Sequence, residues 1–137
     1  MTEIDIWYEG QLSTRCVQRE NGQEIRTDAP KDNQGKGEMF SPTDLFAASL
    51  GSCVLTVMGI LAERIGVDIT GTKISVTKEM APVPSRRIGK LTLVLTSPHR
   101  FDPDITARLE KAATGCPVHH SLHPDVIQEY TFNWGQT

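Results

Sequence analysis

The chain has 137 residues, with 14 lysines and arginines against 17 aspartates and glutamates for a formal charge of −3, and 38% of its residues are hydrophobic. That length suits one domain over residues 1–137, and the scattered basic residues exclude a nucleic-acid-binding stripe. The start, Met1-Thr2-Glu3-Ile4-Asp5, is acidic and lacks the basic and apolar regions of a secretory signal, so a cytoplasmic protein is expected.

The first 30 residues read as strands. Ile4, Ile6 and Tyr8 alternate with polar neighbours, Glu9-Gly10 turns the chain, and Leu12 to Gln18 runs back. Asn21-Gly22 is a hairpin signal, with Gln23 to Thr27 as the third strand. A polar loop follows from Pro30 to Met39. Ser41-Pro42-Thr43-Asp44 then opens a helix: Ser41 can cap, Pro42 suits the first helical position, and Asp44 completes a capping-box-like pair. The helix should run to Arg64, with Gly66 as its stop. At about 1.5 Å per residue it spans roughly 35 Å, enough to cross a small domain. Leu45 to Ala62 carries no charge and reaches the lower length limit of a membrane span. Its serines, threonine and glycines dilute the hydrophobicity and no aromatic belt flanks it, so a helix buried in protein is expected instead, with no membrane partner.

Gly71 to Lys78 and Arg87 to Thr96 are the next strands, each with one alternating apolar face. Asp102-Pro103 starts a second helix that stops at Gly115, and Cys116-Pro117 begins a short third helix to Leu122. Val126 to Phe132 closes the chain as a strand. Three strands, a long helix, two strands, a helix pair and one strand describe an α+β fold with a mainly antiparallel sheet packed on the long helix. So apolar a helix covers more than these strands can bury, and a second copy of the chain would complete the burial. A homodimer is expected.

Three cysteines in such a chain are not a disulfide framework. Cys16, inside a strand, reads as structural. Cys53 lies mid-helix on the stripe Phe46, Leu50, Cys53, Val57 and Ile60, where a cysteine serves either as a small buried hydrophobe or as a thiol approached past Gly51 and Ser52. Cys116 stands at a helix start, where unpaired N–H groups favour a thiolate, so the residues alone make it the better nucleophile. Spacing does not pair the two. His119, His120 and His123 follow Cys116 closely, but on a short helix they diverge around its circumference. Solvated or interface histidines are expected there, with no metal site. Tyr130 and the other terminal aromatics read as sheet packing.

Two tracts carry a resemblance. Ser41-Pro42-Thr43-Asp44-Leu45-Phe46-Ala47-Ala48-Ser49-Leu50-Gly51-Ser52-Cys53 resembles the N-P-E-x-L-(F/L)-A-A-x-x-x-x-C helix of the OsmC/organic hydroperoxide resistance family. Gly115-Cys116-Pro117-Val118-His119-His120-Ser121-Leu122 is similar to its second-cysteine element, and the tract from Thr27 to Glu38 to the lead-in loop of an OsmC-like subgroup. The resemblance implies an intertwined homodimer with central long helices and active sites at the subunit interface. It implies that Cys53 attacks a hydroperoxide and becomes a sulfenic acid, that Cys116 condenses with it to a disulfide, and that a small or lipoyl-type dithiol restores the thiols without any cofactor. This reverses the choice of nucleophile made from the residues alone.

In the hydroperoxidase branch a glutamate after the helix-opening proline holds an N-terminal arginine against the attacking sulfur. Here that slot is Thr43, which cannot pair with a guanidinium as a carboxylate does. Asp44 and Glu38 are the candidate substitutes, and Arg15 is the first candidate arginine, ahead of Arg19 and Arg26. The leading expectation is a thiol-dependent peroxidase acting on organic hydroperoxides. The alternative is a non-catalytic, dimeric, small-ligand-binding stress protein of the same fold, and the third reading is a metal-binding protein using Cys53, Cys116 and His119.

Overall fold

A computed structural model describes all 137 residues. The elements follow in the order β1 (Ile4–Gly10), β2 (Ser13–Gln18), β3 (Glu24–Asp28), a single 3-10 turn (Lys31–Asn33), α1 (Pro42–Ile65), β4 (Lys73–Ala81), β5 (Arg87–Ser97), α2 (Pro103–Ala113), α3 (Pro117–Ser121) and β6 (Ile127–Trp134). They divide into two compact units, Met1–Phe46 and Ala47–Thr137.

The first unit is an antiparallel meander in the order β1-β2-β3. Its β2–β3 hairpin closes at Asn21-Gly22, where Gly22 takes a left-handed φ of 71° and the Asn21 side chain accepts the Gln23 N–H at 2.9 Å. In register, Ile6, Cys16 and Ile25 lie side by side. Together with Ile4 and Leu45 they line an apolar groove of about 420 Å³, with Ile4, Ile6 and Ile25 all exposed. Beyond β3 the buried Asp28 carboxylate accepts from the Ser13 hydroxyl and from the Glu38 N–H, which ties the polar loop back to the sheet. The Ser13 hydrogen bond also holds the Asp28 carboxyl below the usual carboxylate range. Gly35 is required in this loop, since a Cβ there would fall 1.7 Å from the Ala29 carbonyl oxygen.

The start of α1 is a reciprocal capping box. Ser41 Oγ accepts the Asp44 N–H at 3.0 Å, and Asp44 Oδ2 accepts the Ser41 N–H at 2.9 Å. Both expected partners are in place, and the helix ends at Ile65 before Gly66, whose φ of 77° suits a glycine stop.

In the second unit α1 contributes the buried stripe Leu50, Val54, Met58 and Ala62, preceded by Ala47. Helical spacing of three and four brings these side chains onto one face. They form one core with Leu91, Leu93 and Leu95 from β5, and with Leu109, Ala113 and Cys116 from the segment that follows. Gly51 lets α1 sit close on β4: a Cβ there would lie 2.9 Å from Val76 Cγ2. The sheet order is β4-β5-β6, with β5 central. β4 pairs antiparallel with β5, whereas β6 pairs parallel with it from Lys90–Ile127 to Ser97–Trp134. The mainly antiparallel expectation therefore describes three of the four strand pairings. A parallel neighbour needs a crossover connection, and α2 and α3 supply it.

By length and mean hydropathy, 2.1 over its most apolar window, α1 is the one helix able to cross a membrane, and 33% of that window is buried within the chain. Phe46 and Ile60 stay exposed on it.

Candidate functional site

Cys53 and Cys116 lie in the same unit and come together. Cys53 is half-buried in the middle of α1, four residues before Val57 and beside the core residue Val54. Cys116 is fully buried at the N-cap of α3. Its Sγ accepts the His119 N–H at 3.2 Å, so the thiol itself serves as the helix cap. Pro117 at the first helical position pre-sets the turn and has no N–H to leave unpaired. The Cys53 side chain is close enough to act on the Cys116 thiol, and both are free thiols.

The electrostatics of Cys116 differ from the sequence expectation. Burial pushes its thiol above the ordinary value, the His119 N–H draws it partly back, and the Cys53 side chain pushes it up again. A helix start alone would favour the thiolate, but here desolvation outweighs the few N–H groups of a five-residue helix. Cys116 is thus held as a protonated, enclosed thiol beside the more accessible Cys53.

A polar cluster adjoins the pair. Gln128 Oε1 accepts from the Tyr130 hydroxyl at 2.8 Å and lies 2.5 Å from His119 Nδ1, which is also 3.3 Å from Tyr130 Oη. Burial first, and then the Cys116 and Cys53 sulfurs, push the Tyr130 phenol up to about 12. His119 packs edge-on against both Tyr130 and His120. The expectation of solvated or interface histidines holds for His120 and His123, both exposed, but not for His119, which is half-buried and hydrogen-bonded. Tyr130 does stack on Phe132, as sheet packing requires, while its hydroxyl belongs to the cluster. A signal for this was present in β6. Gln128, Tyr130 and Phe132 share the inward face, and a glutamine on an apolar face calls for a polar partner.

The four supporting candidates lie in the first unit. Arg15 is engaged within its own sheet, 3.2 Å from Glu24, 3.5 Å from Glu9 and 4.3 Å above the Trp7 ring. Arg19 grips Asp5 through two nitrogens and reaches Glu3, and Arg26 pairs with Glu9. Asp44 is the capping carboxylate described above, and Thr43 Oγ1 lies 3.2 Å from Ser41 Oγ. Glu38 contributes its N–H to Asp28. No group of three or more His, Cys, Asp or Glu residues is arranged to hold a metal ion.

Comparison with known proteins bears on this geometry. No curated protein matches the chain significantly. Among solved structures, a Psychrobacter arcticus protein assigned to the osmotic stress induced and detoxification response is 44% identical, with a TM-score of 0.92 over 96% of both chains. The organic hydroperoxide resistance protein OsmC of Legionella pneumophila shares the fold at 15% identity, TM-score 0.77, over 97% of this chain and 96% of its own. So does the organic hydroperoxide resistance protein OhrB of Bacillus subtilis, at 17% identity, TM-score 0.69, over 96% and 97%. A model of the OsmC-like protein family matches residues 35–130, which include both cysteines, Gln128 and Tyr130, and the chain belongs to that family.

Proposed function

We propose that this protein reduces organic hydroperoxides with the Cys53–Cys116 thiol pair. The observation that carries the reading is the meeting of two free thiols of unlike character, one half-exposed and one enclosed and capped. The Cys53 thiolate attacks the terminal peroxide oxygen, the O–O bond breaks, the alcohol leaves with a proton, and Cys53 becomes a sulfenic acid. Cys116 then forms a disulfide with Cys53 and releases water, and an external dithiol of small or lipoyl type exchanges both thiols back. The names of the Legionella and Bacillus proteins, both organic hydroperoxide resistance proteins, agree with this substrate class.

The working unit in this reading is a homodimer in the cytoplasm. The groove formed by Ile4, Ile6, Cys16, Ile25 and Leu45, and the exposed Phe46 and Ile60 of α1, are apolar surface of the kind a second copy covers.

The test is one equivalent of cumene hydroperoxide added to the reduced protein, followed by intact mass and free-thiol count. Loss of two of the three thiols, abolished in Cys53→Ser, is the expected result. Three unreacted thiols would remove the peroxidase reading. The second reading, a dimer that binds a small ligand without turnover, is favoured by one feature: Thr43 brings no carboxylate, and that of Asp44 is committed to the helix cap. It expects ligand binding to survive Cys53→Ser.

A further inference from the structure

Closing the disulfide poses a problem that Cys116 cannot solve by itself, and the inference that follows rests on the dithiol reading above. Only a thiolate attacks sulfur efficiently, yet Cys116 has no solvent-exposed surface, and burial keeps its thiol protonated. Its proton must pass to a neighbouring group of the protein.

The base tied to this sulfur through its own backbone is His119. Cys116 is the N-cap of α3 and His119 the third helical residue, a position from which a side chain can reach back to the cap. Its main-chain N–H already holds the sulfur at 3.2 Å. On the ring, Nδ1 faces Gln128 Oε1 at 2.5 Å. A carbonyl oxygen only accepts, so Nδ1 carries a proton, and in the neutral ring the lone pair is on Nε2. The Tyr130 hydroxyl donates to the same Gln128 oxygen and fixes the amide from the other side. Because Tyr130 titrates only near 12, this donor persists throughout the neutral range. A carboxamide orienting an imidazole beside a cysteine is a recurring arrangement in thiol catalysis.

We propose that His119, held in its Nδ1–H form by Gln128 and Tyr130, takes the proton of Cys116 when the disulfide closes. Nε2 accepts the S–H proton and the freed Cys116 thiolate attacks the Cys53 sulfenic sulfur. The S–S bond forms, the S–O bond breaks, and the departing hydroxide takes the proton from the imidazolium and leaves as water. Cys116 is oxidised, Cys53 is reduced from sulfenic acid to disulfide, and His119 returns to its neutral form. Gln128 and Tyr130 act through His119 and are positioning residues. The titratable groups packed against the ring are His120 on its own segment and Tyr130 on β6, and the Cys116 and Cys53 sulfurs act on Tyr130 in turn.

The experiment separates the two chemical steps. Reduced full-length protein is mixed with one equivalent of cumene hydroperoxide in quenched flow, trapped with a sulfenic-acid reagent such as dimedone, and analysed by intact mass. Wild type should pass to the disulfide with little adduct. His119→Gln should slow closure by about 10²-fold or more, the usual size of a general-base effect, while slowing the first oxidation far less, so that adduct accumulates at Cys53. Residual closure in His119→Gln should rise steeply with alkali, as for an unassisted thiol, whereas wild-type closure should depend on pH less. Gln128→Met leaves His119 in place and should slow closure by about tenfold, which keeps the test decisive if His119→Gln folds poorly. Closure at the wild-type rate in both variants, with two thiols lost in wild type, overturns this role for His119 alone. A wild type that loses no thiols overturns the peroxidase reading and the relay with it.

Discussion

Replacing Gly51 tests how tightly the position of Cys53 is set by the approach of α1 to β4. Helix propensity alone makes Gly51→Ala favourable by about 1 kcal/mol. Against that, the new Cβ would lie 2.9 Å from Val76 Cγ2, about 0.6–1 Å inside a comfortable carbon–carbon contact, with Ile74 Cγ2 at 3.6 Å. Valine is stiff at χ1, so the methyl cannot swing away and α1 has to lift off the sheet. Overpacking of this kind costs about 1–3 kcal/mol, leaving Gly51→Ala less stable by about 1 kcal/mol, or about 3 °C in Tm. Gly51→Val, bulkier and a poorer helix former, should lose about 3 kcal/mol. A disulfide tolerates only about 3.5–4.5 Å between Cβ atoms, so the displaced helix should also close the Cys53–Cys116 bond more slowly. Urea denaturation of Gly51→Ala, Val76→Ala and the double variant measures the coupling, expected at about 1 kcal/mol in favour of the double variant. If Gly51→Ala is instead stabilised by its propensity gain and shows no coupling to Val76→Ala, the close-approach reasoning is wrong.

Other consequences are equally direct. Asp44→Ala removes one half of the capping box and should cost about 1 kcal/mol in chemical denaturation, while Asp44→Asn, which keeps an accepting oxygen, should cost clearly less. The raised pKa of Cys116 means that the fold favours its neutral thiol. That contribution is complete below the unfolded thiol value of about 8.5 and disappears as pH rises through the higher folded value. Reduced wild type should therefore lose stability in this alkaline window, and Cys116→Ser, which retains a capping atom but does not titrate there, should lose less. Spectrophotometric titration should show one tyrosine ionising near 12, a component absent from Tyr130→Phe.

Much of this was legible in the sequence because the signals are local. Ser41, Asp44 and Gly66 mark the ends of α1 through their own backbone bonds, and Asn21-Gly22 specifies its hairpin within four residues. The division into two sheets was not legible, because alternation along a strand says which face is buried and nothing about which strand lies beside it. The parallel β5–β6 pair had a clue in the long α2–α3 connection, but the apolar alternation of β6 is the same in either direction. The meeting of Cys53 and Cys116 came from family likeness, since their spacing carries no geometric information. The His119–Gln128–Tyr130 cluster depends on register between α3 and β6, and neighbouring residues in the sequence do not encode that register. The rise in the Cys116 pKa likewise depends on burial by distant residues, which overrode a local helix-start argument.

The parallel docking of β6 also sets when the surroundings of Cys116 are assembled. Both cysteines precede Ile127, yet Gln128 and Tyr130, the partners of His119 beside the Cys116 cap, lie on the last strand, which pairs with β5 only after the crossover is complete. Such non-local pairing is slow to form compared with helices and hairpins. A growing or truncated polypeptide ending before Ile127 would thus carry Cys53 and Cys116 without the Gln128 and Tyr130 side chains that complete the cluster beside them. The polar surroundings of Cys116 are therefore completed by a strand-pairing step and not by the helices that hold the two sulfurs.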